Sequence, residues 1–129
     1  MTNDEISEFI KQAIDENRVM LFMKGTPNQP ACGFSARTAG ALNALGVQYA
    51  ALDILPDPRI REELSALSGW PTIPQLFVDK ELVGGSDIVM EMFESGELAE
   101  LLGVEQPEES PQAEPEVAQR PIGLENRLD

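Results

Sequence analysis

The stretch Val19-Met20-Leu21-Phe22-Met23-Lys24-Gly25-Thr26-Pro27-Asn28-Gln29-Pro30-Ala31-Cys32-Gly33-Phe34-Ser35 decides how this chain folds. Its first five residues are uniformly apolar, a run short enough to be a strand buried on both faces. A loop from Lys24 to Ala31 follows, and a helical pattern then runs from about Gly33 to Leu45, where Gly46 stops it. Cys32, the one cysteine of the chain, therefore sits where a helix opens. Unpaired amides and the positive end of the helix dipole meet there, and both favour thiolate over thiol. A lone cysteine packed as a small hydrophobe fits the same spacing.

Working outward, Thr2-Asn3-Asp4-Glu5 has capping-box spacing, and Ile6, Phe9, Ile10, Ala13 and Ile14 follow at helical intervals. A first helix ending near Asn17 is expected. Downstream, Val47 to Ile54 reads as a second strand, parallel to the first through a right-handed crossover. Asp57-Pro58 opens a helix through about Leu67, with Gly69 beyond it. Pro74 to Val78 and Glu81 to Val83 make a hairpin about Asp79-Lys80, a turn lacking the preferred glycine. A last helix begins after Gly84-Gly85, with Ser86 able to cap it and Ile88, Val89, Met92 and Phe93 on one face. Gly96 interrupts it before a short piece reaching Leu102. The expected architecture is α/β, a four-stranded mixed sheet with helices on both faces.

The chain has 129 residues and a formal charge of −14, which suits one core and excludes phosphate-backbone or anionic-membrane docking. No apolar run approaches the roughly 20 residues of a bilayer span. The acidic start, Met1 to Glu5, has neither signal-peptide nor transit-peptide character, so a cytoplasmic protein is expected. One cysteine cannot form an internal disulfide. Residues 1–103 read as the domain. From 104 to 129 the composition turns to Pro, Glu and Gln, with seven acids against two arginines, and reads as a disordered tail. Pro121-Ile122-Gly123-Leu124 restores some apolar character near the end, as a short docking motif or a frayed terminus.

Three segments carry chemistry. Around Cys32, the pattern Cys-x-x-Ser leaves no second thiol for a dithiol cycle, and Lys24 at the strand end is a cation suited to favour the thiolate. In Trp70-Pro71-Thr72-Ile73-Pro74 two prolines forbid helix, and a turn there exposes the backbone of Ile73 to an extended peptide. An ordinary turn before a strand accounts for the same residues. Gly84-Gly85-Ser86-Asp87 combines close backbone approach, a helix N-terminus that suits an anion, and an acid that suits an ammonium group. A plain helix start explains it equally well. Arg61, on the third helix, reads by itself as solvated surface.

Lys24-Gly25-Thr26-Pro27, Cys32-Gly33-Phe34-Ser35, Trp70 to Phe77 and Gly84 to Val89 together resemble the monothiol glutaredoxins of the Cys-Gly-Phe-Ser type, over about residues 3 to 102. The resemblance implies a thioredoxin-like fold that binds glutathione beside Cys32. It implies that Lys24 and Arg61 hold the glycyl carboxylate of glutathione. The Ile73 backbone would pair with the cysteinyl unit, and the Ser86 amide with Asp87 would fix the γ-glutamyl end. Ser86 stands where some relatives carry a second cysteine, which removes a resolving thiol. The tail has no counterpart in the family.

The resemblance further implies a 2Fe–2S cluster bridging a homodimer. Such a cluster needs four ligands, normally thiolates. Two chains give two cysteines, and two glutathiones give the rest, in agreement with the single cysteine. Cluster assembly and delivery to iron–sulfur apo-proteins is the leading expectation, with a BolA-like protein able to replace one protomer. The loop of residues 25–31 tilts the choice, since the family's longer loop accompanies cluster binding and weak oxidoreductase activity. The alternatives are a glutathione-dependent oxidoreductase that resolves mixed disulfides through Cys32, and a regulatory module acting with a BolA-like partner.

Overall fold

Thr2 and Glu5 close the expected capping box in the computed structural model, which describes residues 1–106. The Glu5 amide donates to Thr2 Oγ1 at 3.1 Å, and the Thr2 amide donates to Glu5 Oε1 at 2.7 Å. Helix α1 (Asn3–Glu16) follows and buries Ile6 and Ile10. Strand β1 (Val19–Met23) is buried at all five positions, as its apolar run requires. Its side chains alternate between two layers. Val19, Leu21 and Met23 enter a core with Leu42, Leu76, Val89 and Phe93, whereas Met20 and Phe22 enter one with Ile10, Leu64 and Phe77. Phe22 and Phe77 meet edge to face, centroids 5.7 Å apart.

Helix α2 (Gly33–Ala44) leads to β2 (Ala50–Asp53) and α3 (Pro58–Ser68). Then come β3 (Gln75–Val78), β4 (Glu81–Gly84), α4 (Ser86–Ser95) and α5 (Glu97–Leu102). The sheet order is β2-β1-β3-β4, with β1 and β2 parallel and the other pairs antiparallel. This is the four-stranded mixed sheet expected from the pattern.

Two details differ from expectation, and one expected turn shows how it forms. Strand β2 begins at Ala50 rather than Val47, because the ladder opens with Met20 against Ala50, while Val47 and Tyr49 pack on the core outside it. The Asp79-Lys80 turn dispenses with glycine: both residues take positive φ, 51° and 72°. The Asp79 amide donates to Arg18 O at 2.8 Å, and its carboxylate meets Arg18 Nε at 3.2 Å. Finally, Ser86 is the first residue of α4 and not its cap. Gly85 holds the N-cap position with no side-chain hydrogen bond.

Arg18 also donates to the carbonyls of Leu101 and Leu102, tying the last helix to the foot of β1. Val104 still packs against the core. The rest of the expected tail, 107–129, lies outside the described residues. Among the described residues no helix is long and apolar enough to cross a membrane.

Candidate thiol site

Cys32 is the N-cap of α2, in extended backbone geometry. Its sulfur accepts from the Ser35 amide at 3.4 Å and lies 3.4 Å from Ser35 Oγ. Ser35 is fully buried, and its Oγ accepts from the Lys24 amide at 3.1 Å. The end of β1 therefore fixes the oxygen, and the oxygen faces the sulfur. Partial burial pushes the Cys32 thiol up. The Ser35 hydroxyl, the Ser35 and Phe34 amides and the Lys24 charge act the other way, and together they hold it below its ordinary value. Alkylation of Cys32 should therefore inflect at a lower pH than that of a free cysteine. In Ser35→Ala the thiolate loses its largest single stabilising partner, so the inflection in an iodoacetamide pH–rate profile should move up.

The loop between β1 and the thiol is held from inside. Gly25 donates its amide to Asp53 Oδ1 at 2.9 Å, and the Leu55 amide donates to the same oxygen at 2.9 Å. Ala31 donates to Lys24 O at 2.9 Å, closing the loop onto its own start. Thr26 and Gln29 exchange backbone bonds of 3.2 and 3.0 Å across the tip.

Two hollows flank the Pro71–Ile73 segment. One, of about 480 Å³, is lined by Lys24, Arg61 and Glu62 together with Ile54, Leu55, Pro58, Ser65 and Pro71. The other, of about 340 Å³, is lined by Ile73, Ser86 and Asp87 together with Phe34, Trp70 and Thr72. Arg61 Nη2 donates to Pro71 O at 3.4 Å, so the hollow with the two cations reaches the segment that walls the other. The Ile73–Pro74 peptide is cis. Lys24 and Arg61 are thus together, as are Ile73, Ser86 and Asp87, and Cys32 lies on the loop and helix start between Lys24 and Phe34.

Gln75 and Arg37 escape sequence reasoning, and Gly85 gains its reason here. Gln75, fully buried beside the segment, donates through Nε2 to Trp70 O at 2.9 Å and Thr72 O at 3.1 Å. It positions the wall of the second hollow. Gln75→Leu should cost about 1–3 kcal/mol in urea unfolding and shift the emission of Trp70, the chain's one tryptophan, as the segment loosens. Gly85 is needed for the same wall, since a Cβ there would meet Trp70 Nε1 at 3.0 Å. Arg37 lies over the Phe34 ring, 5.1 Å from its centroid, beside the thiol. Of these, only the glycine pair carried a signal in the sequence.

Both hollows are mainly apolar, with a few polar groups in their walls. Behind these walls Trp70 Nε1, Ser65 Oγ and Gln75 Oε1 are buried without a hydrogen-bond partner among the described residues. The first amides of α4 have no side-chain cap. An anionic group suits the Lys24–Arg61 hollow, and a zwitterionic one suits the α4 start with Asp87.

Known proteins resemble this chain in sequence and fold. A family model described as Glutaredoxin matches residues 19–83. A probable monothiol glutaredoxin 2 of Rickettsia typhi is 48% identical over 102 residues, covering 79% of this chain and 92% of its own length. Glutaredoxin 4 of Escherichia coli K12 is 54% identical over 95 residues, covering 74% and 83%. Among solved structures, a monomeric truncated mutant of Trypanosoma brucei 1-C-Grx1 superposes with a TM-score of 0.70 at 41% identity, covering 79% of this chain and 96% of that one. The fold is thioredoxin-like, and this chain belongs to the monothiol glutaredoxins.

Proposed function

We propose that this protein binds glutathione across the two hollows and carries a 2Fe–2S cluster as cargo, for assembly or delivery to apo-proteins. One observation supports this reading above the others: the sole cysteine stands at a helix N-cap on the stretch between Lys24, which lines one hollow, and Phe34, which lines the other. In this reading Lys24 and Arg61 hold the glycyl carboxylate of glutathione, and the Ile73 backbone pairs with its cysteinyl unit. The Ser86 amide and Asp87 take the γ-glutamyl end.

Among the described residues no three His, Cys, Asp or Glu side chains gather into a metal site. One chain therefore supplies one thiolate, and a four-thiolate cluster takes two chains and two glutathiones. A homodimer forms with the cluster, and a BolA-like protein exchanges for one protomer. The cytoplasm suits this role, because a lone thiol stays reduced there. Anaerobic reconstitution with iron, sulfide and glutathione should give visible cluster absorption, and omitting glutathione should abolish it. A full cluster formed without glutathione would overturn the reading.

A second reading draws on the lowered, half-buried thiol. The Cys32 thiolate attacks the glutathione sulfur of a protein mixed disulfide and releases the protein thiolate. A second glutathione thiolate then attacks the Cys32-bound sulfur, releasing oxidised glutathione and restoring Cys32. Fast turnover of a glutathionylated protein by the cluster-free chain would favour it.

A further inference from the structure

Asp53 ends strand β2, and its side chain lines neither hollow. Its Oδ1 nevertheless accepts from two backbone amides that border the larger one, those of Gly25 and Leu55, each at 2.9 Å. Leu55 lines that hollow itself, and Gly25 directly follows Lys24, which lines it too. The bond from the Leu55 amide, two residues on, is an Asx turn and by itself merely ends a strand. The bond from Gly25 crosses 28 residues and has no such local reason.

Lys24 is fixed through its backbone as a result. Its amide donates to Ser35 Oγ at 3.1 Å, its carbonyl accepts from Ala31 at 2.9 Å, and the next amide is held by Asp53. Met23 and Asp53 are partners in the parallel ladder, and the Ile54 amide donates to Met23 O at 3.0 Å. Lys24 and the wall of Ile54 and Leu55 therefore leave the sheet side by side.

A carboxylate has a cost at this place. The hollow sets Lys24 and Arg61 against one acid, Glu62, and Asp53 forms no ion pair among the described residues. Its charge opposes any anion drawn to those cations. What it supplies is one oxygen able to accept two amides, in charge-assisted bonds stronger than neutral ones. Gly25 is buried, so its amide is left unsatisfied when that oxygen is removed.

We propose that Asp53 is a positioning residue for ligand capture, holding Lys24 and Leu55 in the register in which the larger hollow takes a ligand carboxylate. It acts through the backbone of Gly25 and Leu55. The proposal rests on the reading that glutathione places its glycyl carboxylate in that hollow.

The test measures Kd of the cluster-free, full-length chain by NMR titration, for glutathione and for its glycyl monoethyl ester, which lacks that carboxylate. Asp53→Ala removes the oxygen, and Asp53→Glu displaces it while keeping the charge. Both should weaken glutathione binding about three- to tenfold and ester binding less than about twofold. Asp53→Asn keeps an oxygen in place without the charge, and should bind glutathione within about twofold of the wild type. A charge effect alone gives the opposite pattern: Asp53→Ala and Asp53→Asn tighten glutathione binding, and Asp53→Glu leaves it unchanged. That pattern would overturn the proposal, as would equal losses for glutathione and ester, or wild-type affinity in all three variants. Asp53→Glu and Asp53→Asn decide between the two patterns even where Asp53→Ala does not fold. A wild-type chain that binds glutathione no better than the ester would instead remove the reading of the hollow, and the proposal with it.

Discussion

Cys32→Ser is expected to lose the proposed cluster entirely, together with all thiol alkylation, while the fold is retained or slightly strengthened. The two halves of that outcome have separate causes. A serine hydroxyl is not ionised near neutral pH and is a poor substitute for thiolate, so with one cysteine per chain nothing replaces the lost ligand. At the N-cap, however, serine is among the preferred residues, and its Oγ takes over the bond from the Ser35 amide. Thermal unfolding of the variant should therefore occur at or above the wild-type temperature. A variant that unfolds early would show that the thiol is structural. One that keeps its cluster would show that Cys32 is not a ligand.

The second large effect is expected at Gly25. Its φ of +84° is left-handed, and a Cβ there would lie 2.5 Å from Gln29 O and 2.6 Å from Ala31 N. Both contacts are backbone, so neither yields as a flexible side chain would. Gly25→Ala should cost about 2–4 kcal/mol, combining strained φ with overpacking. Relief comes only by opening the loop, which pulls the Gly25 amide from Asp53 and the Ala31 amide from Lys24 O. Cys32 follows directly on that loop. Urea unfolding should show the stability loss, and alkylation rates should show a displaced thiol. Gly25→Ala with wild-type stability would contradict the loop geometry.

The elements that could be read from the sequence are those where one local signal dominates. The Thr2–Glu5 box, the uniformly apolar β1 and the Asp57-Pro58 helix start each specify their own neighbourhood. Cys32 at the opening of α2 belongs with these. Elsewhere the deciding partner is remote. β2 starts at Ala50 because β1 offers Met20 there, a fact of register and not of the apolar run 47–54. Ser86 looks like a cap until Gly85 takes the N-cap position one residue earlier. Gln75 reads as a polar interruption in a strand, since its acceptors, Trp70 O and Thr72 O, are set only by the turn. Asp53 reads as the end of a strand, yet it anchors the thiol loop across 28 residues. Arg37 follows the Cys-Gly-Phe-Ser motif as one more charge on a helix, and its place over Phe34 becomes visible only with side chains in position.

The central claim is that each chain supplies one cluster ligand, Cys32, and that glutathione supplies the matching one. Native mass spectrometry of the anaerobically reconstituted protein tests it most directly. The account predicts a species of two chains, two glutathiones and one 2Fe–2S cluster, which disappears in Cys32→Ser. A cluster held by a single chain, or by two chains without glutathione, would contradict it.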